Sequence, residues 1–245
     1  MARVILFLFE GDVREINYFD SLQNSIKELL PQKRESEVIC SFSNDLYQLY
    51  DEIKDDDDLN LVVLLQEGLG NKNNINILRD IDEDQVTDIY LFFDMEIQAR
   101  KYSDESLLNM VKKFNDESNQ GKIFISYPMV EAIRHIYDFD TFKHLEVEAA
   151  NCRGRIYKRL SSTDTIQRLG DHTRITTDDW KSLVRKNIEK SHFMISKNCA
   201  YGPPPTQEVI ANYQINRKNV NESIYVLSAF PFFAVDYYGT DLFSQ

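Results

Sequence analysis

The strongest constraint on the fold of this chain is the run Val4-Ile5-Leu6-Phe7-Leu8-Phe9, which holds no polar side chain and ends at Glu10-Gly11. A strand wet on one face alternates polar and apolar residues, so an unbroken run of branched and aromatic ones predicts a strand buried on both faces of a parallel sheet. Glu10 then stands at its carboxyl end, where open α/β sheets gather ligand-binding groups. Gly11 lets the chain turn without a Cβ clash. The next residues predict a helix with Tyr18, Leu22, Ile26 and Leu29 on one stripe.

Two further runs repeat the pattern. Ile89-Tyr90-Leu91-Phe92-Phe93 ends in Asp94-Met95-Glu96. Side chains two apart in an extended segment project to one side, so Asp94 and Glu96 are placed to grip one cation. Ile123-Phe124-Ile125 predicts a third buried strand, and a helix over 127–136, with Pro128 in its first turn, sets Glu131 within a turn of that strand's end. Strand and helix alternate, which predicts an α/β fold with a parallel sheet and right-handed crossovers.

Between these runs, residues 37–42 read as a short strand, and 44–53 and 103–114 as helices. Residues 61–65 fit helix or strand equally. Asp55-Asp56-Asp57-Asp58 lacks the alternating spacing and glycine of a calcium loop and reads as a solvated segment. Gly68-Leu69-Gly70 reads as a turn, with neither the context of a dinucleotide fingerprint nor a Walker lysine. Cys40, Cys152 and Cys199 are too widely spaced for a CxxC site and are expected as free thiols. No apolar stretch approaches the roughly 20 residues that cross a bilayer, and no signal-peptide pattern opens the chain, so a cytoplasmic protein without a membrane partner is expected.

Beyond residue 150 the texture changes. The formal net charge is −12, yet residues 151–199 hold 11 Lys/Arg against 5 Asp/Glu, on a chain whose first 150 residues hold 15 against 31. Arg153, Arg155, Lys158 and Arg159 cluster; a helix capped at Thr177 or Asp178 and running to about Met194 turns Lys181, Arg185, Lys186 and Lys190 outward. A basic segment on an acidic body suits a phosphate backbone better than indiscriminate nucleic-acid binding. Pro203-Pro204-Pro205 makes a stiff break, and 224–233 reads as a buried strand ended by Pro231. Trp180 and the terminal aromatic residues are expected in the core, as is His135 or its rim. The division expected is a domain over 1–140 and a mixed C-terminal extension over 141–245, basic in 151–199.

Clustered acids repel one another and lose solvation, so Glu10, Asp94, Glu96 and Glu131 persist together where a cation or a raised pKa compensates. Hard oxygen ligands suit Mg2+ or Mn2+, and such sites act on phosphates.

The pattern Phe9-Glu10-Gly11, Glu15, Tyr18-Phe19, then Phe93-Asp94-Met95-Glu96, then Ser126-Tyr127-Pro128 with Glu131 and His135, resembles the TOPRIM domains of RloB-like proteins, grouped with OLD-type TOPRIM nucleases of prokaryotic defence. The resemblance spans roughly residues 3–140. It implies a compact parallel sheet flanked by helices, Glu10 as the general acid or base that also touches metal, and Asp94 and Glu96 as the DxD-like pair on the divalent cation. It also implies Glu131 as a further catalytic acid. Glu96 is one methylene longer than the family's aspartate, Tyr127 stands where asparagine is usual, and Arg14 where threonine is common. The function implied is a metal-dependent nuclease cutting DNA or RNA, tRNA included, as a toxic anti-phage effector held by an ABC-type ATPase partner, with homo-oligomers open. The alternatives are a non-catalytic interaction module on the same scaffold and a small-molecule phosphotransferase or primase-like enzyme.

Overall fold

The three apolar runs fold as adjacent parallel strands in the computed structural model, which describes residues 3–30, 36–55 and 60–244. The first part of the chain passes through β1 (Val4–Phe9), α1 (Arg14–Leu29), β2 (Ser36–Ser41), α2 (Leu46–Ile53), α3 (Leu61–Gln66), α4 (Asn73–Ile77), β3 (Val86–Asp94), α5 (Asp104–Lys113), β4 (Asn115–Asp116) and β5 (Gly121–Ser126). The remainder supplies β6 (Glu146–Glu148), α6 (Gly154–Thr163), α7 (Thr177–Ser196), α8 (Gln207–Asn221), β7 (Ser223–Tyr225) and α9 (Ala229–Tyr238). The sheet order is β2-β1-β3-β5-β4, parallel except for β4 at one edge, while β6 and β7 make a separate antiparallel pair. The α/β class and the mostly parallel sheet flanked by helices are therefore as expected.

Strand register explains the core. Phe9 pairs with Phe92, and Phe92 with Phe124, so the period of two lines up Phe7, Phe9, Tyr90, Phe92 and Phe124 on one face. Phe19 of α1 and Phe230 and Phe233 of α9 cover it, with Phe92 and Phe230 stacked at 5.4 Å and Phe233 edge-on to Phe7 at 5.7 Å. Each such pair adds about 0.5–1.5 kcal/mol beyond the area it buries. α7 packs on α9 and α1, and its Trp180 indole donates to Ser21 Oγ at 3.1 Å. The C-terminal part of the chain thus roofs the aromatic face of the sheet.

Local signals account for most boundaries. Asp45, Asn60 and Ser103 accept backbone N–H bonds at the starts of α2, α3 and α5, which makes residues 61–65 helical. α7 is capped one residue earlier than expected, by Thr176, whose capping box closes on Asp179. Gly68 and Gly70 both adopt positive φ in the expected turn. All three cysteines are free, with Cys40 and Cys152 buried. The acidic residues 56–58 lie outside the described residues, and no helix among the described residues is long and apolar enough to cross a membrane.

Three expectations are corrected. Residues 224–233 are not one strand: β7 ends at Tyr225, and α9 begins at Ala229 with Pro231 in its first turn, where the missing N–H has no helical partner to lose. Residues 127–136 form only a short 3-10 turn, Val130–Ile133, because Tyr127 is held extended by paired hydrogen bonds with Leu227, 2.8 and 3.0 Å. Lys190 does not face outward. It is fully buried, donates to the Leu145 carbonyl at 2.7 Å and lies 4.0 Å from the Phe142 ring centre.

Candidate metal centre

The sheet order creates the site. From β1 the chain moves outward to β2 and then returns to the other side of β1 as β3, so the connections diverge between β1 and β3. A crevice opens at the carboxyl ends of two such strands. Glu10 leaves β1 there, its N–H donating to Phe92 O at 3.0 Å, and Asp94 is the last residue of β3. The Asp94 N–H donates to Glu10 Oε2 at 2.9 Å, tying the two strand ends together. Glu96 follows with φ +35°, a left-handed conformation that a non-glycine residue adopts only when its surroundings impose it. Those surroundings are visible: Met95 N–H donates to Ser126 O at 3.0 Å, Glu96 N–H to Pro128 O at 3.3 Å, and the Tyr47 hydroxyl of α2 to Met95 O.

Carboxylate oxygens of Glu10, Asp94 and Glu96 all lie within 4.8 Å of one another. Asp94 is buried and the other two half-buried. Burial is the largest influence on each and raises its pKa: the Asp94 and Glu96 charges add to it at Glu10, Glu15 adds to it at Asp94, and Asp45 at Glu96. A backbone N–H from Val130 partly offsets this at Asp94. Three hard oxygen donors converging in a desolvated crevice fit a Mg2+ or Mn2+ ion, whose charge removes the repulsion that the acids suffer alone.

Glu131 reaches the same groove but stands apart from this trio. It is wholly buried, touches the Arg14 guanidinium, and has Lys158 Nζ at 3.9 Å. Arg14 and Lys158 are the cations that stand against its buried charge. Glu131 thus gathers two cations on the rim above the acids, and Arg134 joins them in lining the groove.

Residue reasoning did not select Glu15, Arg14 or Tyr47. Glu15 sits in the first turn of α1 and folds back over Gly11, where a Cβ would come 2.6 Å from its Oε2; burial raises its pKa also. The spacing of Gly11 and Glu15, one helical turn apart just past a buried strand, was the available signal. Tyr47 carried none, since its hydroxyl acts only through the backbone of a strand distant in sequence.

Of the eight basic residues singled out beyond residue 150, Lys190 is buried and the other seven are divided by the fold. Lys158 alone lines the acidic groove. Arg153, Arg155 and Arg159 are exposed on α6 or at its start. On α7, Arg185 and Lys186 both pair with Glu189, at 2.8 and 3.1 Å, and Lys181 is half-buried. His135 is buried, its Nδ1 3.2 Å from the Tyr157 hydroxyl, and burial lowers its pKa to about 4, which leaves it neutral and structural. No protein-family model, curated protein or solved structure matches this chain.

Proposed function

We propose that the chain is a divalent-metal-dependent nuclease of TOPRIM type that hydrolyses nucleic-acid phosphodiesters. The observation that carries this reading is the convergence of Glu10, Asp94 and Glu96 within 4.8 Å at the divergence of a parallel sheet, beneath a rim of Arg14, Lys158 and Arg134. An acidic floor alone would repel a phosphate. A cationic rim above it gives the phosphate a place to sit once the floor is neutralised.

Glu10, Asp94 and Glu96 would hold Mg2+ or Mn2+, which when bound polarises the phosphate and lowers the pKa of a water. Arg14 and Lys158 orient the non-bridging oxygens and meet the charge that develops on them. Glu131 keeps both cations aimed into the groove. Glu10, at the head of the crevice, takes up the proton of the attacking water and gives it to the leaving oxygen. Asp94 N–H fixes the Glu10 carboxylate for that task.

The biological setting proposed is a toxic cytoplasmic effector of anti-phage defence, restrained by an ABC-type ATPase; co-purification from a host carrying the neighbouring genes tests that part. For the chemistry, plasmid, single-stranded DNA and tRNA are incubated with the protein and Mg2+ or Mn2+. Cleavage that disappears with EDTA and with Glu10→Gln or Asp94→Asn supports the reading. Metal-independent cleavage, or cleavage equal in the variants, excludes it, and so does toxicity in cells that survives these substitutions, as a non-catalytic module requires.

A further inference from the structure

α6 has two working faces. Tyr157 and Ser161 turn into the core and Lys158 into the acidic groove, while Arg155, Ile156, Arg159, Leu160 and Thr163 line, with Asn151, a shallow groove on the outer side. Arg155 and Arg159 are four residues apart, as are Ile156 and Leu160, so two cations flank an aliphatic floor one helical turn long. Ile156 is 48% exposed, so the floor is open to solvent. Among the described residues no carboxylate forms an ion pair with Arg153, Arg155 or Arg159, whereas Arg185 and Lys186 of α7 are occupied by Glu189. On a chain of net charge −12, uncompensated arginines gathered on one helix face mark a place for an anion.

We infer that this outer face of α6 is a track for unpaired nucleic acid leading to the acidic groove, with Lys158 at the junction between track and groove. The inference rests on the nuclease reading. Arginines alone would suit any polyanion, but the aliphatic floor between them selects. A duplex presents only phosphates and sugars to such a surface and leaves Ile156 and Leu160 in contact with its hydrated backbone. An unpaired strand offers phosphates to Arg155 and Arg159 and exposes base faces whose apolar area the aliphatic floor can cover, the part that aromatic platforms play by stacking in other single-strand grooves. The same helix then delivers the backbone to the rim cation Lys158.

Binding is measured by fluorescence anisotropy in EDTA, using labelled oligonucleotides of about 12 nucleotides, single-stranded or annealed, at about 50 and 200 mM salt. The track predicts that the single strand binds at least about tenfold more tightly than the duplex. Arg155→Glu/Arg159→Glu should weaken single-strand binding at least about tenfold and flatten its salt slope by roughly 1.4, the share of two phosphate contacts. Ile156→Ser should weaken it with the salt slope unchanged. All three side chains line the exposed face, and circular dichroism checks that the variants fold. Equal affinity for duplex and single strand, or variants that bind like wild type, would overturn the track, as would the absence of any oligonucleotide binding. Failure of the two readings is separable: full-rate metal-dependent cleavage by Arg155→Glu/Arg159→Glu removes the track and keeps the nuclease, while α6-dependent binding without cleavage by any metal removes the nuclease and keeps the track.

Discussion

Neutralising the acidic floor should make the metal-free protein more stable, which is the reverse of what most substitutions of buried residues do. Two full charges within 4.8 Å of each other repel by about 3.5 kcal/mol or more at an effective dielectric of ~20. Burial and this mutual repulsion raise the pKa values of Glu10 and Asp94, so each carries its charge at a cost. Asp94→Asn/Glu96→Gln removes two of the three charges at nearly constant volume and leaves the Asp94 backbone N–H on Glu10 in place. The expected gain is about 2–4 kcal/mol near pH 7.5, or roughly 5–10 °C in Tm for a chain of this size. Wild type should instead gain about 2.7 kcal/mol from Mn2+ at a hundredfold excess over Kd, and the variant nothing. Differential scanning fluorimetry of both proteins, in EDTA and in Mn2+, reads all four values. A variant less stable than wild type in EDTA, or one that still responds to Mn2+, refutes the reasoning, because the acids would then be satisfied by the protein alone.

The stability gap between wild type and this double variant should depend on pH. The folded-state pKa values of Glu10, Asp94 and Glu96 lie above those of the unfolded chain, so the folded wild type is penalised as pH rises through the ordinary carboxylate value of about 4 toward the raised values; the gap in Tm should be widest near pH 8 and close toward pH 4. Tyr47→Phe deletes only the hydroxyl bonded to Met95 O, and it should weaken Mn2+ binding about tenfold in calorimetry; retained affinity would show that the Glu96 conformation is fixed without it. Gly11→Ala should cost less than about 1 kcal/mol, since the Cβ meets the movable end of Glu15, yet it should lower cleavage by displacing that carboxylate; unchanged cleavage would exclude Glu15 from the site.

How far the sequence foretold this structure depends on what surrounds each segment. Val4–Phe9 is buried at every position, and so is the end of β3, so their lack of polar residues was a direct imprint of a central position in a parallel sheet. The same logic failed for 224–233. Every residue from Ala229 to Val235 is buried, and a segment apolar all round carries no periodicity to separate a helix from a strand. Lys190 failed for a related reason: α7 is packed against α1, α9 and the turn around Phe142, so a lysine beside the main apolar stripe is enclosed, and a carbonyl and an aromatic ring take the place of water.

The acidic centre was legible because strand ends are predictable even where strand order is not. Glu10 and Asp94 are far apart in sequence, and their meeting requires β1 and β3 to be neighbours, with β2 displaced to the outside. Given that order, an acid at the carboxyl end of each of these two strands stands at the same crevice, whatever the intervening helices do. The cationic rim follows no such rule. Arg14 is on α1, Arg134 follows the 3-10 turn after β5, and Lys158 is on α6, and what Arg14 and Lys158 share is Glu131, a fully buried carboxylate. A buried charge is tolerated only with partners, so Glu131 forces cations toward the floor that repels phosphate. On the nuclease reading proposed above, Glu131, expected among the catalytic acids, also holds the cations that let the groove accept a phosphate.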